Sequence, residues 1–349
     1  MRLLRNLFTV FILLPLCTAC YTLEQAFRFN NSFNSRVFLG EMLNDPELPA
    51  DKRTKLELAR QTLVFAQGQG LNVGDAYQFV IPDSQRAVSY SVQAAKVDKL
   101  ELITWWFPFA GSVPYLGYFN IEKRDAKSKD LRGQGYDVSE GTVGAFSSLG
   151  WFSDPLYFSM LSRSEPDTVQ LLLHELVHRS FWSKGSPAFN ENLAEAVSLR
   201  MTEVYLKERH KEKDWNELQE SLKKQAIFRG WLVALKNDLT ALYARGDLTK
   251  EQKIAQKAIL IKTYQDERFP KEIQKEYDSA RRRPWNNASI LGSTLYLPDM
   301  ARFKAAYDCL QPPNAGAFLA ALHESEKRSK DADEGLSRVC ELKPKVLRE

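Results

Sequence analysis

Between Ser164 and Val177 the chain carries an apolar helical repeat, with His174, Glu175 and His178 set at its end. Val169, Leu172, Leu173, Leu176 and Val177 fall three and four apart, which predicts a strongly buried helix. Ser164 or Asp167 serves as its cap, with Glu165 and Pro166 in the first turn. Ionisable groups on so apolar a helix cost desolvation unless they are paired or bound to something. Helix residues four apart stand one above the other, so the imidazoles of His174 and His178 can both reach one ion. Glu175 lies between them, close to that ion without having to ligate it, where a carboxylate could take a proton from a water on the metal. The plain alternative is an amphipathic helix whose solvated face happens to carry these letters. The apolar surroundings favour the metal. The chain has only four histidines, and the other two, His210 and His323, have no comparable neighbours.

A catalytic metal usually has three protein ligands and one open position. Downstream, Gly185, Ser186 and Pro187 break the chain, and a second helix is expected to start near Ala188. It would present Glu191 as the third ligand. Glu195, one turn further on the same face, would orient a histidine N–H. Glu191 also reads as an ordinary acid in a first helical turn, where the helix dipole favours one. A His/His/Glu set suits zinc and other divalent ions.

The first twenty residues read as a targeting segment. Met1 to Arg5 is basic, and Leu7 to Leu16 is apolar but short for a membrane span. Leu16-Cys17-Thr18-Ala19-Cys20 resembles a bacterial lipobox, which makes Cys20 the expected lipidation site after removal of residues 1–19. Tyr21 is not the aspartate of inner-membrane retention, so the periplasmic face of the outer membrane is expected for a Gram-negative host. An ordinary signal peptide or an uncleaved anchor is the alternative. Losing Arg2 and Arg5 brings the net charge from +4 to +2, with acids and bases well mixed, so nothing asks for nucleic acid. No obligate protein partner is evident. Cys309 and Cys340 remain, as one disulfide or two thiols.

The remaining pattern predicts helical spacing over 23–45, a helix over 51–70, strands through 76–110, a short surface helix over 121–135, and strand-turn-strand over 138–151. Residues 188–285 read as helical and highly charged, with long helices over 205–224 and 250–283 and breaks at Gly246-Asp247 and Phe269-Pro270. A helix opens at Trp285 and reaches Tyr296. One or two short helices lie between Asp299 and Glu326. The fold class expected is α+β, mainly helical, with a small mixed sheet ahead of the His174 helix. Residues 20–163 would form a helical segment and β-rich lobe, and 164–349 a helical lobe carrying the metal.

Five ordered segments carry a resemblance. They are Val113-Pro-Tyr-Leu-Gly-Tyr-Phe119, Leu149-Gly-Trp-Phe-Ser-Asp-Pro155, His174 to His178, Phe189-Asn-Glu191 and Asn286-Asn-Ala288. Together they resemble a bacterial, lipoprotein-like family of zinc aminopeptidases within the gluzincin metallopeptidases. The resemblance implies a gluzincin-like fold and one zinc per chain on His174, His178 and Glu191. It also implies peptide hydrolysis by a zinc-bound water that Glu175 activates. By the same resemblance, Gly144, Ala145 and Phe146 would form an edge strand pairing with substrate backbone, or else a plain hairpin strand. Tyr296 would donate to the oxyanion, or else be a core aromatic beside Leu295 and Leu297. Asn286 and Asn287 would position substrate. The gap from His178 to Glu191 is shorter than in thermolysin-like enzymes. The edge-strand segment also lacks the acid that binds a substrate α-amine, for which Asp154 or Glu140 could substitute. The alternative function is a non-catalytic metal-binding or quality-control lipoprotein.

Overall fold

The computed structural model describes residues 36–81, 89–107, 111–143, 154–294 and 299–342. Strand β1 (Val37–Phe38) runs into helix α1 (Leu39–Asn44), and α2 (Ala50–Gly68) follows. Strands β2 (Phe79–Ile81), β3 (Ser89–Ala95), β4 (Trp105–Phe107), β5 (Gly111–Val113) and β6 (Leu116–Tyr118) precede helix α3 (Ile121–Gly133). After β7 (Asp137–Val143) and β8 (Leu156–Tyr157) the described chain is helical. Its helices are α4 (Glu165–Ser180), α5 (Pro187–Lys207), α6 (Glu212–Ala244), α7 (Lys250–Asp266), α8 (Gln274–Arg282), α9 (Asn287–Ser293), α10 (Ala301–Leu310), α11 (Ala315–Glu326) and α12 (Ala332–Arg338). The protein is thus mainly helical with small sheets. None of the described helices is long and apolar enough to cross a membrane.

Strand β2 lies between β1, to which it runs antiparallel, and β8, to which it runs parallel with Val80 opposite Leu156. This is the small mixed sheet expected ahead of the histidine helix. An antiparallel sheet has β3 between β6 and β7, with Val92 facing Leu116 on one side and Glu140 on the other. Strands β4 and β5 form a separate hairpin.

Three apolar cores hold these layers. In α2, Leu56, Ala59, Leu63 and Ala66 sit three and four apart and are all buried, so one face packs on α4. The largest core gathers α2, β2, β8, α4, α5, the start of α6, and α10 to α12. A second lies between the far half of α6, α7 and Trp285. A third sits under the antiparallel sheet against Leu131 of α3. The division expected at residue 163 does not separate the cores, because α2 and β2 share one with α4 and α5.

One long helix expected over 205–224 is in fact two. Tyr205 is buried at the end of α5, and α6 begins at Glu212. Between them His210 takes a left-handed φ of 55°, and the Lys211 N–H turns back to the Leu206 carbonyl. Glycine usually marks such a stop. Here none does, which is why the sequence hides the break. Helix α6 then runs for 33 residues, about 50 Å at 1.5 Å per residue, with Trp215 and Leu218 in the first core and Trp231 to Leu242 in the second.

Cys309 on α10 is bonded to Cys340 in the turn after α12, closing a span of 31 residues at a Cα separation of 6.0 Å. That separation lies in the ordinary range for a disulfide. The bridge ties the C-terminal turn to the largest core. Reduction is expected to cost about 2–4 kcal/mol, through the freedom the unfolded loop regains. Denaturation with and without dithiothreitol would measure it.

Candidate metal centre

Helix α4 starts where Ser164 Oγ accepts the Asp167 N–H at 3.3 Å, with Pro166 in the first turn. Lys211 holds Glu165 from outside at 2.6 Å. Val169, Leu172, Leu173, Leu176 and Val177 are buried as the spacing predicts, which fixes the rotation of the helix. Phe181 ends it, and Gly185 turns the chain with φ 79° before Pro187 opens α5. The buried Asn190 clamps this connection. Its Oδ1 accepts the Ser183 N–H at 2.9 Å, and its Nδ2 donates to the Ser183 carbonyl at 2.8 Å. The clamp sets where the next residue, Glu191, meets α4.

Glu191 Oε2 lies 3.4 Å from His174 Nε2, and Oε1 lies 3.5 Å from His178 Nε2. The ligating atoms of the three residues all fall within 4.8 Å of one another. Charge-assisted hydrogen bonds are shorter, at about 2.7–2.9 Å. Ligands about 2.1 Å from a tetrahedral ion stand about 3.4 Å apart, so this spacing fits a cation between them. His174 Nδ1 faces Glu195 Oε2 at 3.5 Å, and Glu195 Oε1 accepts from Gln170 Nε2 at 3.2 Å. With a proton on Nδ1 toward Glu195, His174 offers the Nε2 lone pair to the site. His178 has no such carboxylate: its buried Nδ1 has no hydrogen-bond partner among the described residues. Its ring is held edge-to-face between His174, at 4.8 Å, and Trp182, at 5.5 Å. The His178 side chain is 7% exposed and that of Glu191 39%, so the group opens toward solvent on the Glu191 side.

The two histidines are pushed in opposite directions. Burial opposes charge on His174, but contacts with Glu191 and Glu195 and the charge of Glu175 carry its pKa up to about 10. Burial, helped by the His174 charge and opposed by Glu191, brings His178 down to about 4. Glu191 is pushed up by burial, yet His174 and His178 bring it below the usual carboxylate range. Burial raises Glu175 to about 7; the His174 charge opposes this, and Glu191 and Asp154 add to it.

Charge from outside α4 also acts on Glu175. The loop 71–78 is stapled to the helix by Arg179 to Asp75 at 2.7 Å and by the Asn72 N–H on Ser180 Oγ at 2.9 Å. In that loop the buried Tyr77 has φ 60°, unusual for a bulky residue. It donates its N–H to the Asp154 carbonyl at 2.8 Å. Burial, then the charges of Glu175 and Asp154, raise the Tyr77 phenol well above its ordinary value. Asp154 is 1% exposed, and Glu140 pairs with Arg132 at 2.9 Å.

Four of the expected site residues therefore meet: His174, His178, Glu191 and Glu195. Asn286 and Asn287 do not join them, since their bonds are spent holding α9 to the antiparallel sheet. Asn286 caps α9 through the Ser289 N–H and donates to the Val138 carbonyl at 2.9 Å. Asn287 donates to the Lys96 and Lys99 carbonyls and accepts from the Tyr243 hydroxyl. Gly144, Ala145, Phe146, Tyr296 and Cys20 lie outside the described residues. Sequence reading passed over Gln170, although it stands four residues before His174, the spacing that shares a helix face, and Trp182, which lies just past the helix end. Tyr77 carried no such signal.

No curated protein sequence and no solved structure matches the chain. A family model described as "Putative aminopeptidase" matches residues 21–334. With that match spanning most of its length, the chain belongs to this aminopeptidase family.

Proposed function

We propose that the protein is a metallo-aminopeptidase, holding one zinc ion on His174, His178 and Glu191. The observation that carries this reading is the spacing of 3.4 and 3.5 Å from the Glu191 oxygens to the two histidine Nε2 atoms. Bound there, the metal would supply an activated water and polarise the scissile carbonyl. Glu175 would take the proton from the attacking water and return it to the leaving amine. Glu195, backed by Gln170, keeps His174 turned with Nε2 toward the ion. A peptide would approach from the Glu191 side, where the group meets solvent.

Elemental analysis of the purified full chain and of His174→Ala, with aminoacyl and internally quenched peptide substrates, tests this. One zinc per chain, lost in the variant together with cleavage, is the expected result. Wild type without bound metal would remove the reading. Metal without cleavage would favour a binding lipoprotein of the envelope. Glu195→Ala is expected to weaken metal binding about 10–100-fold, measurable by competition with a chelator.

We also propose that Cys20 carries a lipid anchor at the bacterial envelope. Its support is the lipobox-like Leu16-Cys17-Thr18-Ala19-Cys20 behind a short apolar run. Cys20→Ala should release the protein from the membrane fraction.

A further inference from the structure

We infer that Trp182 is the platform for a large apolar or aromatic substrate side chain next to the scissile bond. This rests on the hydrolase reading above and adds the class of peptide that the site prefers. Trp182 lies two residues past the end of α4, four residues after His178. Its ring meets His178 at 5.5 Å and 70°, so it stands beside one of the metal's ligands.

The residue is nevertheless 42% exposed. That leaves roughly 100 Å² of its surface uncovered beside His178. The backbone does not force this. Phe181, just before it, has extended φ and ψ and sends its own ring into the core, against Phe189 and His323. Consecutive side chains on extended backbone point to opposite sides, so Trp182 faces outward as its neighbour faces in. The segment is fixed at both ends, by the close of α4 and by the double Ser183–Asn190 clamp. A rigid exposed indole beside the reacting centre can bury an apolar side chain at little cost in order. Serving only as a buttress for His178 would need one edge of the ring and would leave the exposed face without a use.

The test compares phenylalanyl- with alanyl-aminomethylcoumarin, and Ala-Phe with Ala-Ala, in wild type, Trp182→Ala and Trp182→Phe. Metal content is measured on each protein. Calorimetric binding of phenylalanine amide against alanine amide gives a readout apart from turnover. Wild type is expected to favour the phenyl side chain by about tenfold or more in kcat/KM on one side of the bond, as apolar pockets do. Trp182→Ala should shrink that ratio to about twofold and level the two amides, with metal retained. Trp182→Phe should keep most of the preference. The inference is overturned if wild type shows no preference, if the preference survives Trp182→Ala, or if Trp182→Ala slows both substrates alike or sheds metal. A metal-loaded wild type that cuts neither substrate class instead removes the hydrolase reading, and this inference falls with it.

Discussion

Glu175→Gln is expected to keep its metal and to hydrolyse peptides about 10²–10⁴-fold more slowly than wild type. Glutamine fills the same space but cannot carry a proton between water and a leaving amine. The ligands are untouched, since His174, His178 and Glu191 meet one another without Glu175. Stability should move the other way. In the metal-free protein the Glu175 carboxyl goes from 4.5 to about 7, chiefly by burial. An acid whose pKa rises on folding opposes the fold once the unfolded chain begins to ionise. The penalty therefore grows from about pH 4.5 to about pH 7 and then stays level. Glutamine removes it, so metal-free Glu175→Gln should melt higher than wild type at pH 8, with the gap closing toward pH 4.5. Lost turnover with retained metal and raised stability is the signature of a strained functional carboxylate. A variant keeping a tenth of wild-type activity would show that another group carries the proton.

Lys257→Met should have the largest effect on folding, about 3–5 kcal/mol. Lys257 reaches from α7 to the start of β7, bonding Asp137 at 2.7 Å and the Val97 carbonyl at 2.9 Å. The two side chains are only 9% and 15% exposed. Asp137 also accepts the Asn287 N–H at 2.9 Å, so one carboxylate joins the sheet to α7 and α9. Methionine preserves the packing of the stem and removes the charge, leaving an enclosed carboxylate with one N–H donor for its Oδ2. Adding Asp137→Asn should recover part of the loss, since the cost comes from the stranded charge. Urea midpoints and slopes for the single and double variants would measure both terms. A loss below about 1 kcal/mol would mean that this ion pair does not hold the layers together.

The helix carrying the histidines was legible because its signal is local. Five apolar residues at helical spacing, a serine cap and a proline in the first turn agree with one another. The Glu191 helix was legible for a similar reason, from Gly185 and Pro187 at its entry. The break at Glu208–Lys211 was not, because a histidine stands where a glycine would have marked it. The asparagines show a different limit. Asn286 and Asn287 sit in a segment that resembles a substrate-positioning one, yet their side chains bond to β7, to the loop after β3 and to Tyr243 of α6. Whether an amide serves a ligand or the fold depends on what stands across from it, and those partners come from more than forty residues away in the chain.

By itself, then, the sequence determined the histidine pair, the acid between them and the helix that presents all three. A four-residue step on an apolar helix leaves two imidazoles few other directions to point. It also determined the class of fold, through the periods of its apolar residues. Only the tertiary structure decided that Glu191 closes the group at 3.4 and 3.5 Å, that Glu195 faces His174 Nδ1, and that the charge of Asp154 acts on Glu175. Those outcomes depend on how α4, α5 and the loop 71–78 pack, and packing is set by buried surface and by bonds such as Asn190–Ser183 and Arg179–Asp75. Periodicity fixes which way a helix turns its faces, whereas distances between helices come from the whole core at once.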